Sequence, residues 1–279
     1  MAAQALTSRP SCWRTPRLPV CGRSPALPSC ADNPGTPMRA GVRGKKATRR
    51  GQMPSKAIFL HGAGKSGARA WPVQALSAPP EWTFLERAEG GDSAQGDAAR
   101  ILELLASNGS SHVVAQSYGG NAAALAAQKR PDLVLSLTLI EPACFDLSRG
   151  KPAVENHIAA MDPVFAVSDD PSISARKYSL LFAEGMGTKP PNLPDDVLRS
   201  RVARLRAMAP PWGTGLSTDA GLPVRTLVIT GGWSPMYDQI AEALVELGAD
   251  HIVVAGHGHR AQDSAEANGA MLRLWELVS

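Results

Sequence analysis

His112-Val113-Val114-Ala115-Gln116-Ser117-Tyr118-Gly119-Gly120 joins a short apolar run to a helix. His112 to Ala115 reads as a buried strand, and Asn121 to Lys129 as an Ala-rich helix stopped before Pro131. The turn between them must be tight. A serine projected from such a turn needs small residues two places before and two places after it, and Ala115 and Gly119 meet that need. The pattern is that of a nucleophile elbow, with Ala115 where glycine is commoner. The turn pushes the Ser117 hydroxyl outward and sets backbone N–H groups at a helix start. The bland alternative is an ordinary strand-to-helix turn in which the serine only caps the helix. The small flanking residues favour the elbow.

Outward from this stretch, short apolar runs alternate with helical ones. Ala57–Leu60 is a strand ending in His61-Gly62-Ala63-Gly64, and Trp82–Leu85 is a weaker one. Ala94–Ser107 is a helix closed by Asn108-Gly109. Leu133–Ile140 is a central strand ending at Glu141-Pro142. Arg225–Thr230 is a strand followed by Gly231-Gly232-Trp233-Ser234-Pro235, and a helix runs from Tyr237 to Leu247. His251–Val254 is the last strand, leading into Gly256-His257-Gly258-His259 and a final helix from about Gln262 to Leu277. This alternation predicts an α/β fold: a mostly parallel sheet with helices on both faces. In such a sheet the strand carboxyl ends share one edge, where ligands bind. The loops at His61, Ser117 and His259 should therefore converge.

The rhythm breaks between about 146 and 222, where helical stretches occur without a convincing strand. This segment reads as an inserted helical cap. Its clearest helix is Asp195–Met208, with an apolar stripe through Val197, Leu198, Val202, Leu205 and Met208. Arg199, Arg201, Arg204 and Arg206 flank the stripe and read as a solvated face rather than a phosphate site.

A serine nucleophile needs a base. Of the six histidines, His257 and His259 lie on the loop after the last predicted strand. The order Ser, acid, His favours His259. His257, before Gly258, falls on the opposite side of the turn.

With the His61-Gly62 loop, the elbow at Ser117 and the terminal Gly-x-Gly-His ending at His259 in this order, residues 55–279 resemble a single-domain, cap-bearing α/β-hydrolase. The resemblance implies that the backbone N–H groups of Ala63 and Tyr118 form the oxyanion hole. It also exposes a departure. The family usually carries an aspartate three residues past the glycine after the penultimate strand, and here Ser234 stands there. Serine cannot hold an imidazolium by charge. The family's alternative, an acid after the strand that follows the elbow helix, falls on Glu141. Asp238, four residues past Ser234, is the second candidate. Glu141 ranks first, because a strand-end carboxylate is better fixed than one on a helix start. The plainer alternatives are a salt bridge to the cap for Glu141 and a helix N-terminal charge for Asp238. The expected activity is that of a serine hydrolase acting on a small ester, lactone or similar carbonyl compound, with no cofactor and no metal. Met161, Phe165 and Trp212 of the cap are candidates to line the substrate pocket.

Two other function classes stay open. Gly64-Lys65-Ser66 resembles the end of a nucleotide-binding P-loop, although Phe59 stands where its first glycine should be. Ser234 in the usual acid position also fits a non-catalytic binding protein on the same fold.

Composition bounds the partners. The chain has 279 residues and a formal net charge of +4. Residues 1–50 carry ten basic residues against one acid, +9, which leaves −5 on the other 229. The basic character thus belongs to a Pro-, Ser- and Arg-rich tail, and the body offers no basic face for nucleic acid. The tail, residues 1–52, should be disordered. It reads as an over-extended reading frame with Met53 as the start, in preference to an organellar transit peptide, because its prolines oppose an amphipathic helix. No apolar run is long enough for a membrane span. Cys12, Cys21 and Cys30 lie in the tail, leaving Cys144 alone in the body. A cytoplasmic domain of residues 53–279 acting on a small molecule is expected, organellar if the tail is a transit peptide, with oligomeric state open.

Overall fold

The computed structural model describes residues 55–63, 67–86 and 93–278. The expectations for the tail and for Gly64-Lys65-Ser66 lie outside them. Six strands form one sheet: β1 Ala57–Leu60, β2 Trp82–Phe84, β3 Ser111–Gln116, β4 Val134–Ile140, β5 Thr226–Thr230 and β6 Asp250–Val253. Their order is β2-β1-β3-β4-β5-β6, and every pairing is parallel. β1, β3 and β5 are buried throughout and β4 nearly so, as expected of strands covered on both faces, whereas the edge strands β2 and β6 are half-exposed.

Helices cover both faces. On one lie α2 (Ala94–Asn108), α3 (Gly119–Lys129) and α7 (Pro235–Glu246), whose apolar residues Ile101, Leu105, Leu125, Ile240 and Leu244 share a core with Ile58, Val113 and Leu137 of the strands. On the other lie the short α1 (Pro72–Ala75) and α8 (Ala265–Val278). There Trp71, Met271, Leu274 and Trp275 pack on Phe59, Val114 and Ile229. Gly109 ends α2 at φ 83°, and its N–H donates to the Leu105 carbonyl.

The strand order reverses between β1 and β3. Ligands of open α/β sheets bind at the carboxyl end of such a switch. Here it joins the His61 loop to Ser117.

Between β4 and β5 the chain forms three cap helices: α4 (Pro152–Ala166), α5 (Ala175–Gly185) and α6 (Asp195–Arg206). Their buried faces make a separate apolar cluster with Tyr118. Two expectations need correction. The last helix begins at Ala265 rather than Gln262, because Gly258–Asp263 forms a 3-10 turn with a non-helical break at Arg260. Of the α6 arginines, Arg199, Arg201 and Arg204 are exposed as expected, but Arg206 is half-buried. Arg206 donates to the carbonyls of Val167, Ser168, Asp170 and Ile173 and stacks over Tyr178. It thereby ties α6 to the α4–α5 loop. Arg204 donates to Ser200. Among the described residues, no helix is long and apolar enough to cross a membrane.

Candidate active site

Ser117 and Glu141 directly follow the neighbouring strands β3 and β4, and both hold left-handed backbone, φ 54° and 47°. Among the described residues they are the two non-glycine positions that do so. Such strain persists only where its surroundings hold it, and it clusters at functional sites. At Ser117 the holders are backbone bonds. Its N–H donates to the Ile140 carbonyl at 2.9 Å, and its carbonyl accepts from Gly120 at 2.9 Å and Ala143 at 3.0 Å. Close approach adds a demand for small neighbours. A Cβ on Gly62 would come within 2.8 Å of Ser117 Cβ and closer still to the Gln116 amide oxygen.

Glu141 is fully buried and accepts three hydrogen bonds. Gly231 N–H donates to Oε1 at 2.5 Å, and Trp233 Nε1 donates to Oε2 at 2.9 Å. His259 Nδ1 lies 3.3 Å from Oε2. Three donors around one group make an environment that suits a carboxylate. Gly231 can deliver its N–H because it has no side chain, since a Cβ would strike the Gly258 carbonyl of the histidine loop. Asp238, by contrast, lies in the first turn of α7, and no hydrogen bond joins it to His259. Its carboxyl is raised above the usual range by burial and then by the Glu141 charge, with the charge of His251 opposing. Ser234, in the family's usual acid position, is the N-cap of α7 and makes no side-chain capping bond.

The other ring nitrogen of His259 is taken. Gln116 Nε2 lies 3.0 Å from His259 Nε2 and 3.2 Å from the His259 carbonyl, while Gln116 Oε1 accepts from Gly62 N–H at 3.0 Å. Only one amide orientation satisfies all three contacts, because the Gly62 N–H needs an acceptor and the His259 carbonyl needs a donor. His259 Nε2 is then the acceptor, and Nδ1 carries the proton toward Glu141. Tyr237 completes the surroundings. Its ring stacks on the imidazole at 5.1 Å and 26°. Burial, and next the Glu141 charge, push its phenol well above the usual range, and a hydrogen bond with the Ser117 side chain opposes this.

A pocket of about 400 Å³ opens between the sheet edge and the cap. Ser117, His259, Ala63 and Tyr118 line it, and so do Met161, Phe165 and Trp212. Phe145 and Phe165 meet Trp212 edge to face. His157 stacks on Phe145, and burial lowers its pKa. The buried Cys144 thiol nearby is pushed up to about 12, by burial and then by the Asp146 charge, and offers no competing nucleophile at neutral pH. Among the described residues, no group of three or more His, Cys, Asp or Glu side chains could hold a metal ion.

Sequence reasoning assigned no part to the Gln116 side chain, Trp233 or Tyr237. Gln116 sits inside the elbow motif and was visible as a neighbour. Nothing in the spacing marks an indole or a phenol as belonging to a site formed by distant loops.

The α/β-hydrolase family model matches residues 57–268, and the chain belongs to that family. No curated protein matches it in sequence. NosK from Streptomyces actuosus is a structural neighbour at TM-score 0.50 and 22% identity, covering 80% of this chain and 99% of that one. A thermophilic esterase from Thermogutta terrifontis matches at TM-score 0.51 and 19% identity, over 80% and 91%. An epoxide hydrolase of the superfamily from hot-environment metagenomes matches at 0.52 and 18%, over 80% and 89%. At such identities the neighbours share the fold with this chain, and the reaction must be argued from its own residues.

Proposed function

We propose that the protein is a serine hydrolase that cleaves a small ester, lactone or similar carbonyl substrate through an acyl-enzyme on Ser117. The observation that carries this reading is the strained Ser117 on the wall of a pocket that is also lined by His259, whose Nδ1 meets the buried Glu141. Ser117 Oγ attacks the carbonyl carbon while His259 Nε2 takes its proton. Glu141 holds the resulting imidazolium through Nδ1–H. The N–H groups of Ala63 and Tyr118 receive the oxyanion. His259 returns the proton to the departing alkoxide. Water then enters and its oxygen bonds to the acyl carbon as His259 removes its proton; the acyl–oxygen bond to Ser117 breaks as His259 gives that proton to Ser117 Oγ, and the acid leaves.

Gln116 must release Nε2 before Ser117 can use it. Its two further bonds, to Gly62 N–H and the His259 carbonyl, keep the amide in reach when it turns aside. It therefore acts as a positioning residue that keeps the Nδ1–H tautomer between turnovers.

The test is fluorophosphonate labelling together with p-nitrophenyl ester hydrolysis. The wild type should label and turn over, and Ser117→Ala should do neither. Equal labelling of both proteins, or no turnover that depends on Ser117, overturns the reading in favour of a non-catalytic binder.

A further inference from the structure

We propose that the pocket takes a substrate whose reacting carbonyl is joined through an apolar spacer to an anionic end, a dicarboxylic acid half-ester being the simplest case. The reacting end rests on the serine-hydrolase reading above. The anionic end rests on the cap alone.

The described lining of the pocket contains Lys189, Arg201 and Arg260 and no Asp or Glu. Arg260 is committed, since its guanidinium binds both carboxylate oxygens of Asp263 at 2.5 and 2.9 Å. Lys189 and Arg201 make no ion pair with a described residue. Several cap cations are engaged elsewhere, Arg149 with Glu155, Lys151 with Glu246, Arg176 with Asp195 and Arg206 with four carbonyls, while Lys177, Arg199 and Arg204 do not line the pocket. A third donor joins the two free charges. Ser179 of α5 is buried, lines the pocket, and makes no side-chain hydrogen bond to a described residue.

These three donors come from α5, the α5–α6 connection and α6, so they belong to the cap side of the pocket and not to the strand ends. Met161, Phe165, Leu205 and Met208 supply apolar lining from the same cap. Unpaired cations over low-dielectric walls attract an anion and offer nothing to a methyl group. The volume, about 400 Å³, is near the lower end for ligand pockets and suits a compact acid rather than a bulky lipid.

The experiment compares mono-p-nitrophenyl adipate with p-nitrophenyl hexanoate, which differ by a carboxylate in place of a methyl at the chain end. Because Lys189 and Arg201 are exposed, the expected preference for the adipate ester is modest, about 5- to 20-fold in kcat/KM and mostly in KM. It should shrink in 0.5 M NaCl. The double variant Lys189→Gln/Arg201→Gln should bring the ratio to about one. A wild-type ratio at or below one, or a ratio that survives the double variant, overturns the proposal. Calorimetric titration of the Ser117→Ala protein with the same two compounds separates this outcome from failure of the reaction itself. Tighter binding of the adipate ester that the double variant removes supports the anion site whether or not the protein is a catalyst. Equal binding overturns it.

Discussion

At the sheet edge, Ser117 and Glu141 hold backbone that non-glycine residues rarely adopt, and hydrogen bonds to other strands and loops pin them there. In the cap, across the same pocket, Met161 and Phe165 sit on helix α4 and are held by packing, with Trp212 meeting both Phe145 and Phe165. One wall is over-determined by backbone, and the other is filled by side chains that could be exchanged for others of similar volume. Chemistry that requires sub-ångström placement belongs on the first wall, and substrate choice on the second.

The sharpest way to break this contrast is Ser117. Ser117→Ala should lower kcat/KM by at least about 10⁴-fold, and Ser117→Gly should do the same. The two variants differ in stability. Glycine at φ 54° relieves strain that alanine keeps, so Ser117→Gly should be more stable than Ser117→Ala by about 1 kcal/mol in urea denaturation. Equal stabilities would mean that the elbow carries no strain.

Glu141→Gln should cost about 10²- to 10⁴-fold in kcat, and Asp238→Asn less than about 3-fold, in an ester assay with both variants side by side. The reverse order would move the acid from β4 to α7. Gln116→Ala should lower kcat by about 10-fold with KM little changed, and Gln116→Glu should shift the acidic limb of the kcat/KM profile to higher pH, because a carboxylate beside Nε2 favours the imidazolium. A pH profile that does not move would leave Gln116 a purely structural bridge. For the cap, Trp212→Ala should raise KM about 3- to 10-fold while kcat changes by less than about 3-fold. A large loss in kcat would give the cap a part in the chemistry.

The last effect concerns the sheet rather than its edge, and stability rather than catalysis. His112 is buried, bonded to Ser136 at 2.8 Å and stacked on Trp275, and burial lowers its pKa to about 4 from 6.5. The folded state resists the proton that the unfolded chain accepts below about 6.5. Stability is therefore intact above that pH and falls as pH drops toward 4, by roughly 2–3 kcal/mol from this group. Denaturation at pH 7.5 and pH 5 should show the loss in the wild type and a smaller one in His112→Gln.

Much of the sheet-edge wall was legible in the sequence because its constraints are local. The turn at Ser117 demands small residues at Ala115 and Gly119, and that demand can be read without knowing what packs nearby. All six strands were read to within about two residues for the same reason, since buried parallel strands are short apolar runs between turn residues. The cap was legible only as an interruption. The arginines of α6 read alike, yet Arg206 binds backbone carbonyls while Arg201 faces the pocket, a division fixed by where the α4–α5 loop happens to pass. Gln116, Trp233 and Tyr237 escaped notice because each meets its partner across more than ninety residues of chain.

The cage around Glu141 has an evolutionary corollary. Its Gly231 donor directly follows β5, the strand beside β4 and the one after which the family usually carries its aspartate. Adjacent parallel strands lie only about 4.8 Å apart, so the two acid positions follow neighbouring strands along one edge. A lineage could carry both carboxylates at once and then discard either, with the imidazole never left without a counter-charge. The double change Glu141→Gln/Ser234→Asp would retrace that path in the laboratory, and partial rescue of Glu141→Gln would make the acid a property of the sheet's rim rather than of any one place in the chain.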